Sequence, residues 1–219
     1  MTTRPDPSRA TAPPPPPEAA AVFGAQLSNA EAYVALLCGP GVEQGLIGPR
    51  EPERVWDRHV INSAALSSLI PARAHVVDVG AGAGLPGIPL ALARPDLTVT
   101  LAEPMERRVR FLRDVVARLG LEADIRHARA EDLPRDHWDV AVVRAVAPLA
   151  RLIPLTLPLL HPGGALLALK GSSVHTEIAK AESQLSSWKA GAEVLTVTAG
   201  AGEATIVRIE RPRRARDER

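Results

Sequence analysis

Short apolar runs alternate with amphipathic stretches over most of the chain beyond residue 70. The apolar runs predict strands at residues 75–79, 98–102, 124–128, 140–143 and 165–170, and two more at 194–197 and 205–209. The stretches between them predict helices at residues 85–93, 105–119, 149–160 and 175–190. Strands that alternate with helices indicate an α/β fold with a mostly parallel, doubly wound sheet, and the closing pair of strands predicts an antiparallel edge.

The helix predicted at residues 105–119 has a clear apolar face. The side chains of this face recur every three or four positions and are expected to pack on the core; they are Met105, Val109, Leu112, Val116 and Leu119. Arg107, Arg110 and Asp114 lie on the opposite side of the helix, so we expect them to be exposed.

Two further helices are predicted ahead of the alternating part. Ser28 and Glu31 have the spacing of a capping box, and Gly39-Pro40-Gly41 ends the first helix. The second helix covers residues 53–69. The two form an N-terminal helical addition at residues 18–71, in front of a domain at residues 72–210.

Composition predicts a tail at each end of the chain. Residues 1–17 include five consecutive prolines, so we expect them to be disordered, and residues 211–219 form a basic tail. Prolines and glycines interrupt the longest weakly charged run, 152–169, and no secretory signal is recognisable, which predicts a soluble, cytoplasmic protein. The single cysteine, Cys38, permits neither an internal disulfide nor a cysteine-based metal cluster, and we expect no metal site.

A glycine-rich turn after the first predicted strand is the main candidate for a ligand site. It reads Asp78-Val79-Gly80-Ala81-Gly82-Ala83-Gly84-Leu85-Pro86-Gly87. Glycines let a backbone turn sharply while a ligand lies against it, and Gly82-x-Gly84-x-x-Gly87 also fits the fingerprint that binds the pyrophosphate of NAD. Asp78 and the spacing of Gly80, Gly82 and Gly84 favour S-adenosylmethionine (SAM), because an acid suits the ammonium of SAM and repels a pyrophosphate. A turn that serves stability alone is the third alternative.

Ligands of an open parallel sheet lie beyond the carboxyl ends of its strands, so the residues there are further candidates. Glu103 ends the second strand, where an acid accepts the ribose hydroxyls of SAM and NAD alike. Ala130 and Glu131 follow the third strand and are expected to meet the adenine edge; the alternative is that Asp132 in this segment caps the N-terminus of a helix. Arg144 ends the fourth strand; because an unpaired buried cation is costly, we expect it to meet a ligand or to pair with Glu131 or Asp78.

SAM is a methyl donor, and the sequence lacks the residues that an enzyme needs to methylate two common kinds of acceptor. No Asn/Asp-Pro-Pro-aromatic turn, usual for methylation of an exocyclic amine, follows the fourth strand. Cys38, the one thiol available to attack a pyrimidine carbon, is expected in the core. Guanine N7 has a free in-plane lone pair and needs alignment with the methyl group but no general base, so no catalytic residue is predicted.

Further motifs extend the pattern in order from residue 55 to residue 171. They are Arg58-His59-x-x-Asn62-Ser63, the glycine turn with Ile88-Pro89-Leu90, Arg107-Arg108-Val109-Arg110-Phe111-Leu112, Arg144-Ala145 and Ala168-Leu169-Lys170-Gly171. Together they closely resemble the bacterial ribosomal RNA small subunit methyltransferase G family, first called glucose-inhibited division protein B. The resemblance implies a Rossmann-like class I SAM-dependent methyltransferase fold and methylation of guanine N7 in the decoding-region loop of 16S rRNA. It also implies that SAM is contacted by Gly80, Leu85, Ala130, Glu131 and Arg144.

The expected partner is therefore 16S rRNA or the small ribosomal subunit, bound by a monomer. Candidate RNA contacts are the side chains of Arg58, His59, Arg107, Arg108, Arg110 and Lys170, although the arginines equally fit a solvated surface and His59 fits a structural histidine. Alternative functions are an NAD-dependent oxidoreductase and a catalytically silent ribosome-assembly binding protein.

The sequence also departs from the family at two places. Asn62 stands where the family often has Asp, and Gly45-Leu46-Ile47 stands in place of its Asn-Leu-Thr. We expect neither departure to touch the cofactor turn, and we expect no role for the N-terminal helices in holding the cofactor.

Overall fold

The structure is a computed structural model that describes residues 12–144 and 146–213. Residues 1–11 of the predicted disordered tail and residues 214–219 of the predicted basic tail lie outside the described residues.

Within the described residues, seven strands form one sheet. They are β1 (His75–Val79), β2 (Thr98–Ala102), β3 (Ala123–Arg126), β4 (Trp138–Arg144), β5 (Leu160–Lys170), β6 (Ala192–Ala199) and β7 (Gly202–Glu210). Their order is β3-β2-β1-β4-β5-β7-β6; β1 to β5 run parallel, and β7 is antiparallel to both β5 and β6. The mostly parallel sheet and its antiparallel edge are thus confirmed, and the carboxyl ends of β1, β2, β4 and β5 meet at one edge.

Most helices fall close to the predicted positions. The helices are α1 (Pro17–Phe23), α2 (Leu27–Leu36), α3 (Asn62–Ala64), α4 (Gly87–Ala93), α5 (Glu106–Leu119), α6 (Leu149–Thr156), α7 (Val174–Lys180) and α8 (Glu182–Trp188). The first predicted helix does not end at Gly39-Pro40-Gly41, because a π-helical turn at Leu37–Gly41 continues α2 through these residues.

The short helix α3 is continuous with helical turns on both sides. A 3₁₀ turn at Pro52–Arg54 and a π-helical turn at Val55–Ile61 precede it, and a 3₁₀ turn at Ala65–Leu69 follows it. The helix predicted at 53–69 is therefore present in irregular form. The helix predicted at 175–190 is divided into α7 and α8 at Ala181.

Successive side chains along each strand point to opposite faces of the sheet, which divides the core into two layers. On one face of the sheet, Val76 and Leu101 pack with α4, α5 and the N-terminal helices. On the other face, Val77 and Ala102 pack with α6, α7 and α8. The period-two alternation of side chains in a strand therefore gives each sheet face its own helical cover.

Two predictions at the N-terminus need correction. Pro17 begins α1, and the Pro13 carbonyl accepts a hydrogen bond of 3.0 Å from Trp56 Nε1, so ordered chain starts ahead of the boundary predicted at residue 17. Ser28 does not cap a helix, because α2 begins before it and follows directly on α1 and a 3₁₀ turn. The backbone N–H groups near Ser28 already have partners within the helical chain.

The apolar face of α5 is confirmed apart from its first member. Val109, Leu112 and Leu119 are buried, and Val116 is partly buried. Met105 is 45% exposed, because it precedes the helix with extended backbone and its side chain lines a cavity described below. The predicted exposure of Arg107, Arg110 and Asp114 is confirmed.

Candidate functional site

The glycine turn between β1 and α4 is closely packed from behind. Gly84 has φ +96°, and a Cβ on it would lie 2.3 Å from Ile88 Cδ1. A Cβ on Gly87 would lie 2.3 Å from Leu101 Cδ2 and 2.8 Å from Asp78 Oδ2. Larger side chains at these positions would displace the turn from the sheet, so the glycines fix its position at the carboxyl edge.

A cavity of about 550 Å³ opens over this turn. The turn contributes Gly80, Ala81, Gly82, Ala83 and Leu85, and the segment after β2 contributes Glu103, Pro104, Met105 and Arg108. The opposite wall comes from the N-terminal part, through Leu46, Ile47, Gly48, Glu51 and His59, and Arg144 and Val146 complete the lining. A volume of this size suits a ligand as large as a nucleoside derivative.

The N-terminal part, for which the sequence predicts no role in holding the cofactor, thus forms one wall of this cavity. Leu46 and Ile47, which belong to one of the two departures from the family pattern, line the cavity directly. In addition, Tyr33 of α2 is fully buried, and its hydroxyl donates a hydrogen bond of 2.9 Å to the Ala83 carbonyl within the turn. Burial and the nearby Asp78 raise the pKa of Tyr33, so the phenol remains a donor.

Glu103 directly follows β2 and lines the cavity, close to the strand end that the sequence predicts for it. Its carboxylate accepts hydrogen bonds of 2.9 Å from the backbone N–H groups of Gly82 and Met105, one on each oxygen, and Arg108 lies 3.6 Å away. Only 1% of the residue is exposed. Since a carboxylate has about four acceptor positions, both oxygens retain capacity for further donors in the cavity.

Asp78 lies beneath the turn and does not line the cavity. Its Oδ2 accepts a hydrogen bond of 2.8 Å from the Gly87 N–H, while Oδ1 is buried with no hydrogen-bond partner among the described residues. Burial raises the pKa of Asp78 to about 7, and the neighbouring Glu103 adds to this effect. Asp78 therefore supports the turn from beneath, whereas the sequence predicts that it lies beside the ammonium of SAM.

Arg144 at the end of β4 connects the sheet to the N-terminal part. Its guanidinium donates to the carbonyls of Arg58 (2.9 Å) and His59 (3.2 Å), to Ser63 Oγ (3.3 Å) and to His59 Nδ1. The expected pairing with Glu131 or Asp78 is wrong, because the segment before α3 packs over the end of β4 and supplies these acceptors instead.

The contact with Arg144 also determines the state of His59. Because the guanidinium can only donate, Nδ1 accepts and the ring proton lies on Nε2, which faces Glu51 Oε2. Burial and the charge of Arg144 lower the pKa of His59, so the ring is neutral at pH 7. Burial raises the pKa of Glu51, but the hydrogen bond from His59 and the charges of Arg58 and Arg54 outweigh it and leave that pKa below its usual value.

A neighbouring cavity of about 500 Å³ lies over the carboxyl ends of β4 and β5. It is lined by Arg58, Asn62, Arg144, Val146, Ala147, Pro148, Leu169, Lys170, Gly171 and Glu177. Lys170 Nζ donates to Glu177 Oε2 (2.8 Å) and to the Ala147 carbonyl (2.9 Å), and the Leu149 N–H also donates to Glu177 Oε2 (3.2 Å). Both cavities include Arg144 and Val146 in their linings, so they adjoin each other.

The predicted RNA-binding side chains are divided among three places. Arg58 and Lys170 line the cavity at β4 and β5, and His59 and Arg108 line the cavity over the glycine turn. Arg107 and Arg110 line a shallow surface depression on α5, together with Gln44, Phe111, Arg113 and Asp114.

Ala130 and Glu131, two of the predicted SAM contacts, do not line the cavity over the glycine turn. They belong to a 3₁₀ turn and line a small cavity of about 80 Å³ together with Leu133, Arg135, Pro154, Leu155, Pro158 and Leu159. The structure does not bring them together with Gly80, Gly82, Leu85, Glu103 and Arg144, which share the larger cavity.

The structure also bears on what the sequence predicts for the cysteine, for metal-binding groups and for membrane-spanning helices. Cys38 is buried, as predicted, and burial raises the pKa of its thiol. Among the residues that the structure describes, no group of three or more His, Cys, Asp or Glu side chains is arranged to hold a metal ion. The described parts of the chain also contain no helix long and apolar enough to cross a membrane.

Sequence comparison relates the chain to one family. The model of the rRNA small subunit methyltransferase G family matches residues 26–207. The chain is 52% identical over 191 residues to the ribosomal RNA small subunit methyltransferase G of Frankia casuarinae, covering 84% of this chain and 70% of that protein. It is 51% identical over 208 residues to the protein of the same name from a Nocardioides species, covering 93% and 83%. The chain is also 50% identical over 184 residues to the ribosomal RNA small subunit methyltransferase G of Mycobacterium leprae, covering 82% of this chain and 75% of that protein.

Structural comparison gives the same fold. The chain is similar to a SAM-dependent O-methyltransferase from Thermotoga maritima, with a TM-score of 0.53 and 14% identity over 70% of this chain and 65% of that one. It is also similar to the tRNA (m1A58) methyltransferase from Aquifex aeolicus, with a TM-score of 0.54 and 16% identity over 70% and 69%. The predicted Rossmann-like class I methyltransferase fold is thereby confirmed.

Proposed function

Because the chain belongs to the rRNA small subunit methyltransferase G family, we propose that it methylates N7 of a guanine in the decoding-region loop of 16S rRNA. The methyl donor is SAM, and the substrate is the small-subunit rRNA, free or within the subunit.

The residues around the glycine turn suit SAM. We assign the ribose hydroxyls to the Glu103 carboxylate, which keeps acceptor capacity on the cavity side. Gly80 and Gly82 leave the backbone open to the ligand, and Leu85 and Met105 offer apolar surface for the adenine. Ala130 and Glu131 are not part of this assignment, because they line a separate cavity.

One observation carries the proposal: the two adjoining cavities share Arg144 and Val146 at the carboxyl edge of the sheet. Bound SAM supplies a methyl group on a positively charged sulfur, which guanine N7 accepts with its lone pair, so that no proton has to leave. The protein therefore needs to orient the base and exclude water, and it needs no general base. Arg144, fixed by carbonyls and His59, holds the boundary between the two cavities in place.

Transfer of labelled methyl groups tests the proposal. The protein is incubated with methyl-labelled SAM and small subunits whose 16S rRNA lacks N7-methylguanine, and the rRNA is then digested to nucleosides and separated. We expect the label in N7-methylguanosine and no incorporation into subunits that already carry the modification. Label in another nucleoside would contradict the choice of N7, and no label in either kind of subunit would contradict methylation of this substrate.

The alternative functions are not favoured by the family relationship. An NAD-dependent oxidoreductase would bind NADH and not SAM, and a catalytically silent assembly factor would bind subunits without transferring label. We further propose that the chain acts in the cytoplasm and that it is a monomer. Size-exclusion chromatography with light scattering would test the monomeric state.

A further inference from the structure

We propose that the cavity at the ends of β4 and β5 receives the target guanine, and that Glu177 recognises the Watson–Crick edge of the base. This inference rests on the proposed function and adds to it a base pocket and a residue that selects guanine. An enzyme that modifies a base in RNA must receive that base unstacked from its neighbours, in a pocket next to the methyl donor. The cavity of about 500 Å³ beside the glycine-turn cavity has this position.

The lining of the pocket combines apolar surface with polar groups at its edge. Val146, Pro148 and Leu169 provide apolar contacts for a base, and Val146 is 43% exposed. Arg58, whose side chain is 53% exposed and forms an ion pair of 3.3 Å with Glu51, also lines the pocket, where a cation suits the phosphate of the same nucleotide. The pocket therefore matches an anionic nucleotide with a flat base.

Glu177 provides the acceptor that guanine requires. Guanine presents two adjacent donors on its Watson–Crick edge, N1–H and the 2-amino group, and a carboxylate accepts both in a bidentate arrangement. Adenine and cytosine present an acceptor beside a donor on that edge, and uracil presents a single donor between two carbonyls. Glu177 is the one carboxylate in the lining given above, so the pocket favours guanine over the other bases.

The contacts of Glu177 hold its carboxylate ionised and in place. The Lys170 ammonium and the Leu149 N–H both bond to Oε2, and Ser173 also bonds to the carboxylate; a bidentate guanine therefore uses the remaining position on Oε1 and takes the place of Lys170 on Oε2, while Lys170 keeps its bond to the Ala147 carbonyl. Burial raises the pKa of Glu177, but the hydrogen bond and charge of Lys170 outweigh it, so that pKa lies below its usual value. With the Watson–Crick edge at Glu177, N7 lies on another edge of the base and is free to face the boundary at Arg144 and Val146.

The inference is tested by measuring how the wild-type protein and a Glu177 variant methylate two substrates that differ at the target base. Small subunits are reconstituted with 16S rRNA that carries either guanosine or inosine at the methylated position; inosine keeps N7, O6 and N1–H but lacks the 2-amino group. We expect the wild-type protein to methylate guanosine with a kcat/KM about 10-fold above that for inosine, since one bond of a bidentate pair is lost. Glu177→Gln is expected to lower kcat/KM on guanosine about 10- to 100-fold and to reduce the guanosine-to-inosine ratio to about 1.

Controls separate recognition from folding and from the proposed function. Glu182→Gln, an exposed acid on the next helix outside the pocket, is expected to keep the wild-type ratio. Both variants should bind SAM as the wild type does; if Glu177→Gln loses SAM binding, Glu177→Asp, which keeps the charge but withdraws the carboxylate, takes its place. A variant that keeps the wild-type ratio would overturn the role of Glu177, even if its activity falls. Failure of the wild type to methylate guanosine at all would instead overturn the proposed function.

Discussion

The carboxyl group of Asp78 is buried directly beneath the glycine turn, and its protonation is linked to the stability of the fold. Its pKa is about 7 in the folded protein, against 3.8 for an ordinary aspartate. Between these values the folded state binds more protons than the unfolded state, so the free energy of unfolding falls as the pH rises from about 4 to about 7. The group thus contributes a pH dependence opposite to that of a salt-bridged aspartate.

Asp78→Asn should remove this pH dependence. The side-chain carbonyl of Asn still accepts from the Gly87 N–H, but the group carries no charge at any pH. We expect the stability of the variant relative to wild type to increase by roughly 2 to 3 kcal/mol between pH 5 and pH 8, measured by urea unfolding. A difference that stays constant over this pH range would show that Asp78 titrates normally in the folded protein.

Glu103 supports the turn and, in the proposed function, binds the ribose of SAM. Replacement by alanine would leave the N–H groups of Gly82 and Met105 without their acceptor, and the loss of stability would obscure the effect on binding. We therefore choose Glu103→Gln, which keeps the shape but removes the charge and one acceptor oxygen. We expect the Kd for SAM to rise about 10- to 100-fold by isothermal titration, because hydrogen bonds to a charged acceptor contribute about 1.5–3 kcal/mol.

Glu106→Gln is the matched control for Glu103→Gln. Glu106 lies three positions further along the chain, is exposed on α5 and does not line the cavity. It should leave the Kd for SAM unchanged. Equal affinity in both variants and the wild type would place the ribose contact on another residue.

At the scale of elements, α2 supports the glycine turn from behind through Tyr33. The bond from the Tyr33 hydroxyl to the Ala83 carbonyl joins residues 50 positions apart and is fully buried. Tyr33→Phe leaves that carbonyl without the bond, so we expect a loss of about 1–3 kcal/mol in the free energy of unfolding and weaker SAM binding. The control is Thr156→Val, which removes a buried hydroxyl from α6, on the other face of the sheet, and should leave SAM binding unchanged. Unaltered SAM affinity in Tyr33→Phe would confine the role of α2 to stability.

Contacts between residues far apart in the chain, such as this one, leave no pattern in the local sequence. The strand ends that carry Gly80, Glu103 and Arg144 were predictable, because alternation of strands and helices determines which residues meet at the carboxyl edge. Tyr33 looked like an ordinary core residue of an amphipathic helix, and its bond to the turn depends on how distant segments pack. The same holds for Glu51: no local pattern indicates its contact with His59.

Motifs in the sequence also differ in how well they locate function. Lys170 was expected to bind phosphate, but it is paired with Glu177 and the Ala147 carbonyl, which a lysine in isolation does not reveal. Glu177 itself carries no local signal, since it lies in the first turns of a short helix where acids are common. Its position in a cavity becomes evident only when β4, β5 and α7 are assembled.

For the whole molecule, the distribution of charge matters more than its sum. The formal net charge is +1, so general attraction to RNA is weak, yet Arg107, Arg110 and Arg113 are exposed together on α5. They line one depression on α5, the helix whose Arg108 lines the glycine-turn cavity. A loop of rRNA that inserts a base at β4 and β5 needs phosphate contacts beyond the pocket, and these arginines are the basic cluster best placed to make them.

The salt dependence of binding measures how many of these contacts form. Each phosphate contact that a cation makes contributes about 0.7 to 0.9 to the slope of log Kd against log salt concentration. We expect the triple variant Arg107→Gln, Arg110→Gln, Arg113→Gln to bind small subunits more weakly and to reduce this slope by about 2 to 3. A control with equal loss of charge at exposed positions outside α5, Arg135→Gln, Arg151→Gln, Lys180→Gln, should keep the wild-type slope. If both triple variants change the slope equally, attraction comes from overall charge and the α5 cluster has no specific role; if only the α5 variant does, its arginines lie against the rRNA backbone.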